Sequence, residues 1–290
     1  MGATAMQEVE ASIDFIADKF NDEKPFYFHP ASGAAINTEE IQLSNITWDA
    51  RPVKLHSMRN ASLSLEKNGF CYVEHKSHYL PYDGAPAEIT TKYQKETEQM
   101  MQSYFNAEFV TCYDYRRRKN SPVTVEAYDP DDPQHVDQVA KGAHVDITIG
   151  TIADFVTRLL TPEQQNKYLT PDFRLRVVNT WRSCLPVCHD RPLAVCDYHS
   201  IDPHDLIPTD RVYPEWLQEI YHLRYNRRQK WYWLPEQRDH EPLVFLSYDS
   251  WAAGNARYCA HVSFENPLVD AFGAPPRESV ETRTLVVTRK

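Results

Sequence analysis

Glycine is scarce: eight occur in 290 residues. A nucleotide-binding fold built on a Gly-rich phosphate loop needs several in one short stretch, and no such stretch occurs. No apolar run approaches the ~18–20 residues that a membrane-spanning helix requires. The segment Met1-Gly2-Ala3-Thr4-Ala5-Met6 has neither the basic start nor the apolar stretch of a secretory leader. Basic residues are in deficit, 31 against 41 acidic, for a net charge of −10. Phosphate affinity depends on clustered positive charge, so a general nucleic-acid binder is disfavoured. The six cysteines (71, 112, 184, 188, 196 and 259) include no second pair at zinc-site spacing, so reduced, mostly buried thiols are expected. These absences predict a cytoplasmic protein with neither a membrane nor a nucleic-acid partner.

Hydrophobic residues make up 42% of the chain and charged residues 25%, enough for a large core without disulfides. A single domain over 1–290 is expected, with 1–105 as helical and extended segments packing on a core over 106–290. Val9, Ile13, Phe15, Ile16 and Phe20 fall at near-helical spacing and predict a short helix over 6–20. A second helix is expected from about Thr90 to Asn106, and a third from Thr151 to Leu160. Thr161-Pro162-Glu163 predicts the capped start of another. Strands are expected over 109–115, 144–149, 175–181, 193–197, 243–248, 257–264 and 278–287, separated by turn signals such as Asp129-Pro130-Asp131-Asp132-Pro133. The fold class is therefore mainly β with flanking helices, a sandwich or jelly roll.

Among the twelve histidines, spacing selects His-x-Asp, which on a strand puts both side chains on one face. With a second histidine on another strand it makes a two-His-one-carboxylate facial triad, a set that leaves positions open and suits non-haem Fe(II) oxygenases. The pattern occurs as His135-Val136-Asp137 and as His144-Val145-Asp146. Only the second runs directly into a strand-like segment, Ile147-Thr148-Ile149. Downstream, His261 lies in an apolar-flanked strand, and Arg277 and Ser279 share a face of the next one. A guanidinium fork with a hydroxyl is a good receptor for a buried carboxylate. A nucleophilic reading of Cys188-His189-Asp190 fails, because consecutive residues cannot face one another as a triad must.

Several blocks in order then carry a resemblance over roughly residues 105–290. They are Ala143-His144-Val145-Asp146, Asn179-Thr180-Trp181-Arg182, Pro192-Leu193-Ala194-Val195-Cys196-Asp197, Tyr248-Asp249-Ser250, Ala260-His261-Val262-Ser263-Phe264 and Pro276-Arg277-Glu278-Ser279-Val280-Glu281-Thr282-Arg283. The chain resembles the oxygenase-like family that includes the fungal gibberellin desaturase, a cephamycin methoxylation protein and fungal meroterpenoid oxygenases such as the endoperoxide-forming enzyme of novofumigatonin biosynthesis.

The resemblance implies a double-stranded β-helix (jelly roll, cupin-like) with Fe(II) held by His144, Asp146 and His261, and with 2-oxoglutarate and O2 as co-substrates. It implies an Fe(II)/2-oxoglutarate-dependent dioxygenase of fungal secondary metabolism. Such an enzyme would oxidise a small hydrophobic, polycyclic, meroterpenoid-like substrate by hydrogen abstraction, with hydroxylation, desaturation or endoperoxide formation as outcome. Arg277 and Ser279 are the expected anchor of the far 2-oxoglutarate carboxylate. Arg283, on the same face by parity, is the rival anchor. Tyr113, Tyr115 and Trp181 are candidate substrate-facing residues, and residues 70–85, with Phe70, Tyr72, Tyr79 and Tyr82, a candidate lid. A non-catalytic jelly-roll binding or accessory protein is the alternative, and a homodimer is compatible with either.

Overall fold

Short runs of alternating apolar and polar residues place much of the chain in strands, and the alternation decides which face each side chain meets. The structure, a computed structural model, describes residues 8–20, 23–29, 42–120, 136–214 and 216–290. The loop expected at 129–133 and His135 lie outside the described residues.

Two sheets face each other in a jelly roll. The larger has nine strands in the order Val9–Ile16, Trp48–Ser57, Trp231–Trp233, Leu193–Cys196, His261–Ser263, His144–Val145, Leu217–Leu223, Leu206–Val212 and Phe26–Phe28. The smaller has six, in the order Phe70–Tyr72, Leu243–Asp249, Phe173–Ser183, Glu278–Arg289, Phe109–Lys119 and Val136–Asp137.

The helix expected over 6–20 is instead the strand Val9–Ile16, paired antiparallel along its whole length with Trp48–Ser57. Val9, Ala11, Ile13 and Phe15 are buried while Glu10 and Ser12 are exposed, a period of two. Ala11 completes the alternation, and a reading that weights only large apolar side chains loses it. Strands from the first 60 residues therefore enter the larger sheet itself instead of merely packing on it.

Other elements follow the expectation. The second helix is Ala87–Phe105, closed by Asn106 in the left-handed region at φ 47°. The third is Ile152–Leu159. Thr161 caps Pro162–Tyr168 as expected, and a reciprocal bond with Gln164 makes the cap a capping box. The helix Ala87–Phe105 covers the outer face of the smaller sheet, where Met101 packs in one cluster with Val178, Val244, Leu246 and Val286. Each such large apolar side chain contributes about 1.5–3 kcal/mol when fully buried.

The segment expected as a lid lies elsewhere. Phe70 is buried in an edge strand opposite Phe245. Tyr79 is exposed, with the ammonium of Lys92 over its ring at 5.7 Å, and Tyr82 is exposed as well.

One irregularity decides what faces the interior. Between Arg283 and Thr284 the pairing partner jumps from Asp114 to Cys112, so Tyr113 is an extra residue on its strand. A bulge of this kind reverses the facing of everything beyond it. Phe109, Tyr113, Leu285 and Val287 share an inner apolar cluster with Phe155 and Ile152, and past the bulge Asp114 takes the inner side, bonded to Arg283. Arg116 and Arg118 follow Asp114 by parity. Tyr115 turns outward.

Candidate metal and co-substrate site

His144 and His261 are direct partners in adjacent strands of the larger sheet, their ring centroids 4.4 Å apart. Asp146 follows just past the end of its short strand. One ligand atom from each of these three residues lies within 4.8 Å of the others, and all three side chains are buried. Among the described residues this is the one group of three or more such side chains so gathered.

The imidazoles are held in one orientation from behind. His144 Nδ1–H donates to the Gly142 carbonyl at 2.8 Å, which turns Nε2 toward Asp146, 3.6 Å from Oδ1. Gly142 is needed there: its φ is +78°, and a Cβ would lie 2.2 Å from the Trp48 ring. His261 presents Nε2 at 3.9 Å from Asp146 Oδ2, with Nδ1 toward the Cys259 carbonyl at 3.4 Å. Burial, with the neighbouring His144, pushes His261 down to about 3, so its Nε2 lone pair is free at neutral pH. Burial would raise the Asp146 carboxyl, but Arg283 and the two imidazoles outweigh it and hold it well below the usual carboxylate range. Two imidazole nitrogens and a carboxylate oxygen converging in a buried space fit a divalent metal, and the backbone bonds behind the rings are those that fix metal-ligating tautomers.

The rival arginines separate clearly. Arg283 grips Asp146 with its fork, Nε to Oδ2 and Nη2 to Oδ1 at 3.0 Å each, and also pairs with Asp114 and, at 2.7 Å, with Glu281. Arg277 is more deeply buried than Arg283, yet no carboxylate of the described residues forms an ion pair with its guanidinium. Its Nε donates to Ser279 Oγ at 3.0 Å, its Nη1 to the Arg191 carbonyl at 2.9 Å, and the group lies over the Trp181 ring at 5.1 Å. Burial lowers it to about 10.

The aromatic candidates divide as well. Trp181 is buried on the inner face with no hydrogen-bond partner for its indole N–H. Tyr113 sits edge-on to Phe155 at 5.0 Å; burial raises its phenol well above the usual range, and the charges acting on it include Arg283, Asp114 and Asp146. Tyr115 faces the other way, edge-on to Tyr93 of the helix Ala87–Phe105 at 6.2 Å, and is removed from the site.

The residues that sequence reasoning missed are those around Asp146: Asn179, Ser247 and Asp114. Asn179 Nδ2 donates to Asp146 Oδ2, and Ser247 Oγ donates to Asn179 Oδ1 at 2.8 Å. Asn179 stands in the same sequence block as Trp181 and on the same face by parity, which was the available signal; Ser247 gave none. Asp197 and Asp249, in two other blocks, are structural. Asp197 caps the turn Tyr198–Ser200 and accepts from Asn68, and Asp249 accepts from Arg174 and Arg176.

A family model described as the oxidoreductase/YMDC permease-like domain matches residues 13–287. The chain belongs to this family. Among the described residues no helix is long and apolar enough to cross a membrane. The chain is similar to the α-ketoglutarate-dependent dioxygenase phiK of Fungal sp., 28% identical over 269 residues covering 90% of this chain and 94% of the relative. It is also similar to the Fe(II)/2-oxoglutarate-dependent dioxygenase nvfI of Aspergillus novofumigatus, 29% identical over 252 residues covering 84% and 85%. The solved structure of the iron and α-ketoglutarate-dependent endoperoxidase NvfI superposes with a TM-score of 0.79 at 25% identity, covering 98% of this chain and 99% of that one. The family read from the sequence blocks is the family these comparisons show.

Proposed function

We propose that this chain is a non-haem Fe(II)/2-oxoglutarate-dependent oxygenase of fungal secondary metabolism, with iron held by His144, Asp146 and His261. The convergence of these three buried ligand atoms is the observation that carries the reading. When bound, the iron and 2-oxoglutarate supply O2-dependent oxidation of a substrate C–H bond, the co-substrate ending as succinate and CO2.

The far carboxylate of 2-oxoglutarate is assigned to Arg277 and Ser279. Arg277 has N–H groups left over after Ser279 and Arg191, and because Ser279 Oγ accepts from Arg277 its own hydroxyl hydrogen is free to donate. Arg283 is the wrong anchor, since three carboxylates already occupy it. Trp181 closes the space beneath Arg277 and keeps water from the co-substrate's charged end.

Tyr113 stands on the substrate side. Asp114, Arg116 and Arg118 line the same strand face but are paired among themselves and with Arg283, Gln138 and Glu281, which leaves Tyr113 and the apolar cluster around Phe155 to meet a hydrophobic polycyclic substrate. The thiols are all free, in keeping with a cytoplasmic enzyme.

The test is metal analysis with succinate release. Wild-type protein retains about one Fe(II) per chain and converts 2-oxoglutarate to succinate. His144→Ala, Asp146→Ala and His261→Ala each lose the iron while keeping the far-UV signature of the fold. Iron retained by all three variants overturns the assignment.

A further inference from the structure

The two oxygens of Asp146 are treated differently by the smaller sheet. Oδ2 accepts from Asn179 Nδ2 and from Arg283 Nε at 3.0 Å, with Ser247 Oγ a further 3.4 Å contact. Among the described residues Oδ1 accepts only from Arg283 Nη2, at 3.0 Å. A carboxylate oxygen has two lone pairs, so Oδ2 is filled while Oδ1 keeps one, on the side of His144 Nε2 at 3.6 Å.

Asn179 is itself fixed. Asp146 Oδ2 and, at 3.3 Å, Glu281 Oε1 can only accept, so Nδ2 is the end that meets them, and Ser247 completes the orientation by donating to Oδ1 at 2.8 Å. Asn179 is fully buried and Ser247 nearly so, so neither bond is shared with bulk water.

We infer that Asn179, oriented by Ser247, and the Arg283 fork are positioning residues that restrict Asp146 to one-oxygen coordination of a divalent cation. The inference rests on the proposed metal site and deepens it. A carboxylate free to rotate would chelate through both oxygens and take a coordination position. A facial triad must keep three open: two for a chelating keto acid and one for O2. The donors on Oδ2 thus protect the position that the co-substrates need. Arg283 adds a second service, since its charge balances the buried carboxylate before any metal arrives.

Co(II), whose visible ligand-field band reports coordination number, is the probe, used with the full chain under anaerobic conditions. Wild-type protein binds Co(II) saturably. In Asn179→Ala the band moves and Co(II) affinity falls ~10–100-fold, the range typical for loss of an outer-shell partner. Ser247→Ala moves the band in the same direction with a smaller loss, and it carries the test if Asn179→Ala does not fold. Arg283→Lys keeps the charge but not the fork, and also moves the band.

Wild-type affinity and an unmoved band in all three variants overturn the inference, as does a lowered melting temperature with no spectral change, which marks a merely structural role. Failure of the wild-type chain to bind Co(II) overturns the metal site itself and this inference with it.

Discussion

Arg277 and Arg283 stand on the inner face of one C-terminal stretch, the first buried and the second mostly so, in opposite surroundings. Arg283 is ringed by Asp114, Asp146 and Glu281. Arg277 has a hydroxyl, a backbone carbonyl and an indole face. The first guanidinium is neutralised by the protein. The second meets no carboxylate of the described residues, and the proposed function makes it the co-substrate anchor. Burying an unpaired cation is costly, and a fold tolerates it where a ligand completes the pair. Residue type and strand parity treat the two as equals; only the carboxylates that other strands bring near tell them apart.

That contrast is breakable. Replacing Arg283 with Met leaves the buried Asp146 without its arginine and takes one partner each from Asp114 and Glu281, so Arg283→Met should lose about 3–5 kcal/mol in urea unfolding of the metal-free protein. Arg277→Met should lose far less, because no carboxylate is orphaned. Equal losses would dissolve the distinction.

The next effect runs the other way. Arg277→Met should weaken 2-oxoglutarate binding by about 2–5 kcal/mol, the usual result of truncating one side of a buried charge pair, while Fe(II) uptake is unchanged. Calorimetric titration of the iron-loaded protein reads both.

Gly142 sharpens the comparison from the histidine side. Gly142→Ala must place a Cβ against Trp48 at a φ that L-residues avoid, costing about 1–3 kcal/mol and loosening the carbonyl that aligns His144. Melting temperature and Fe(II) affinity should fall together. A drop in the first alone would show that the carbonyl does not align the ring.

The smallest effect separates the two tyrosines. Tyr113→Phe should alter turnover or product distribution, whereas Tyr115→Phe should leave both at wild-type levels, with stability changes in each below about 1 kcal/mol. A product shift from Tyr115→Phe would place the bulge wrongly.

Much of the site was legible because its logic is local. His144 and Asp146 are two residues apart, and Arg277 and Ser279 repeat that spacing, so the period of a strand was enough to pair them. The jelly roll followed from the succession of short strand-like segments between turn signals, of which the last became Glu278–Arg289. What stayed hidden depends on partners distant in sequence. The bulge at Tyr113 is visible only once Cys112 and Asp114 are set against Thr284 and Arg283. It sends Tyr115 outward and Asp114 inward, against simple parity. Asn179 and Ser247 belong to separate strands that meet only in the sheet. The strand Val9–Ile16 reads as a helix in sequence because two apolar periodicities overlap in eight residues, and pairing with Trp48–Ser57 chooses between them.

The most direct test of the account is an anaerobic titration of 2-oxoglutarate into Fe(II)-loaded wild-type, Arg277→Met and Arg283→Lys proteins, followed by the weak charge-transfer band near ~500 nm given by such chelates in a facial triad. The account predicts a saturable band in wild type. In Arg283→Lys the band persists with its position changed, and in Arg277→Met it fails to develop at concentrations that saturate wild type although iron remains bound. A band in Arg277→Met with the wild-type midpoint would contradict the assignment of Arg277 and return the co-substrate to another anchor.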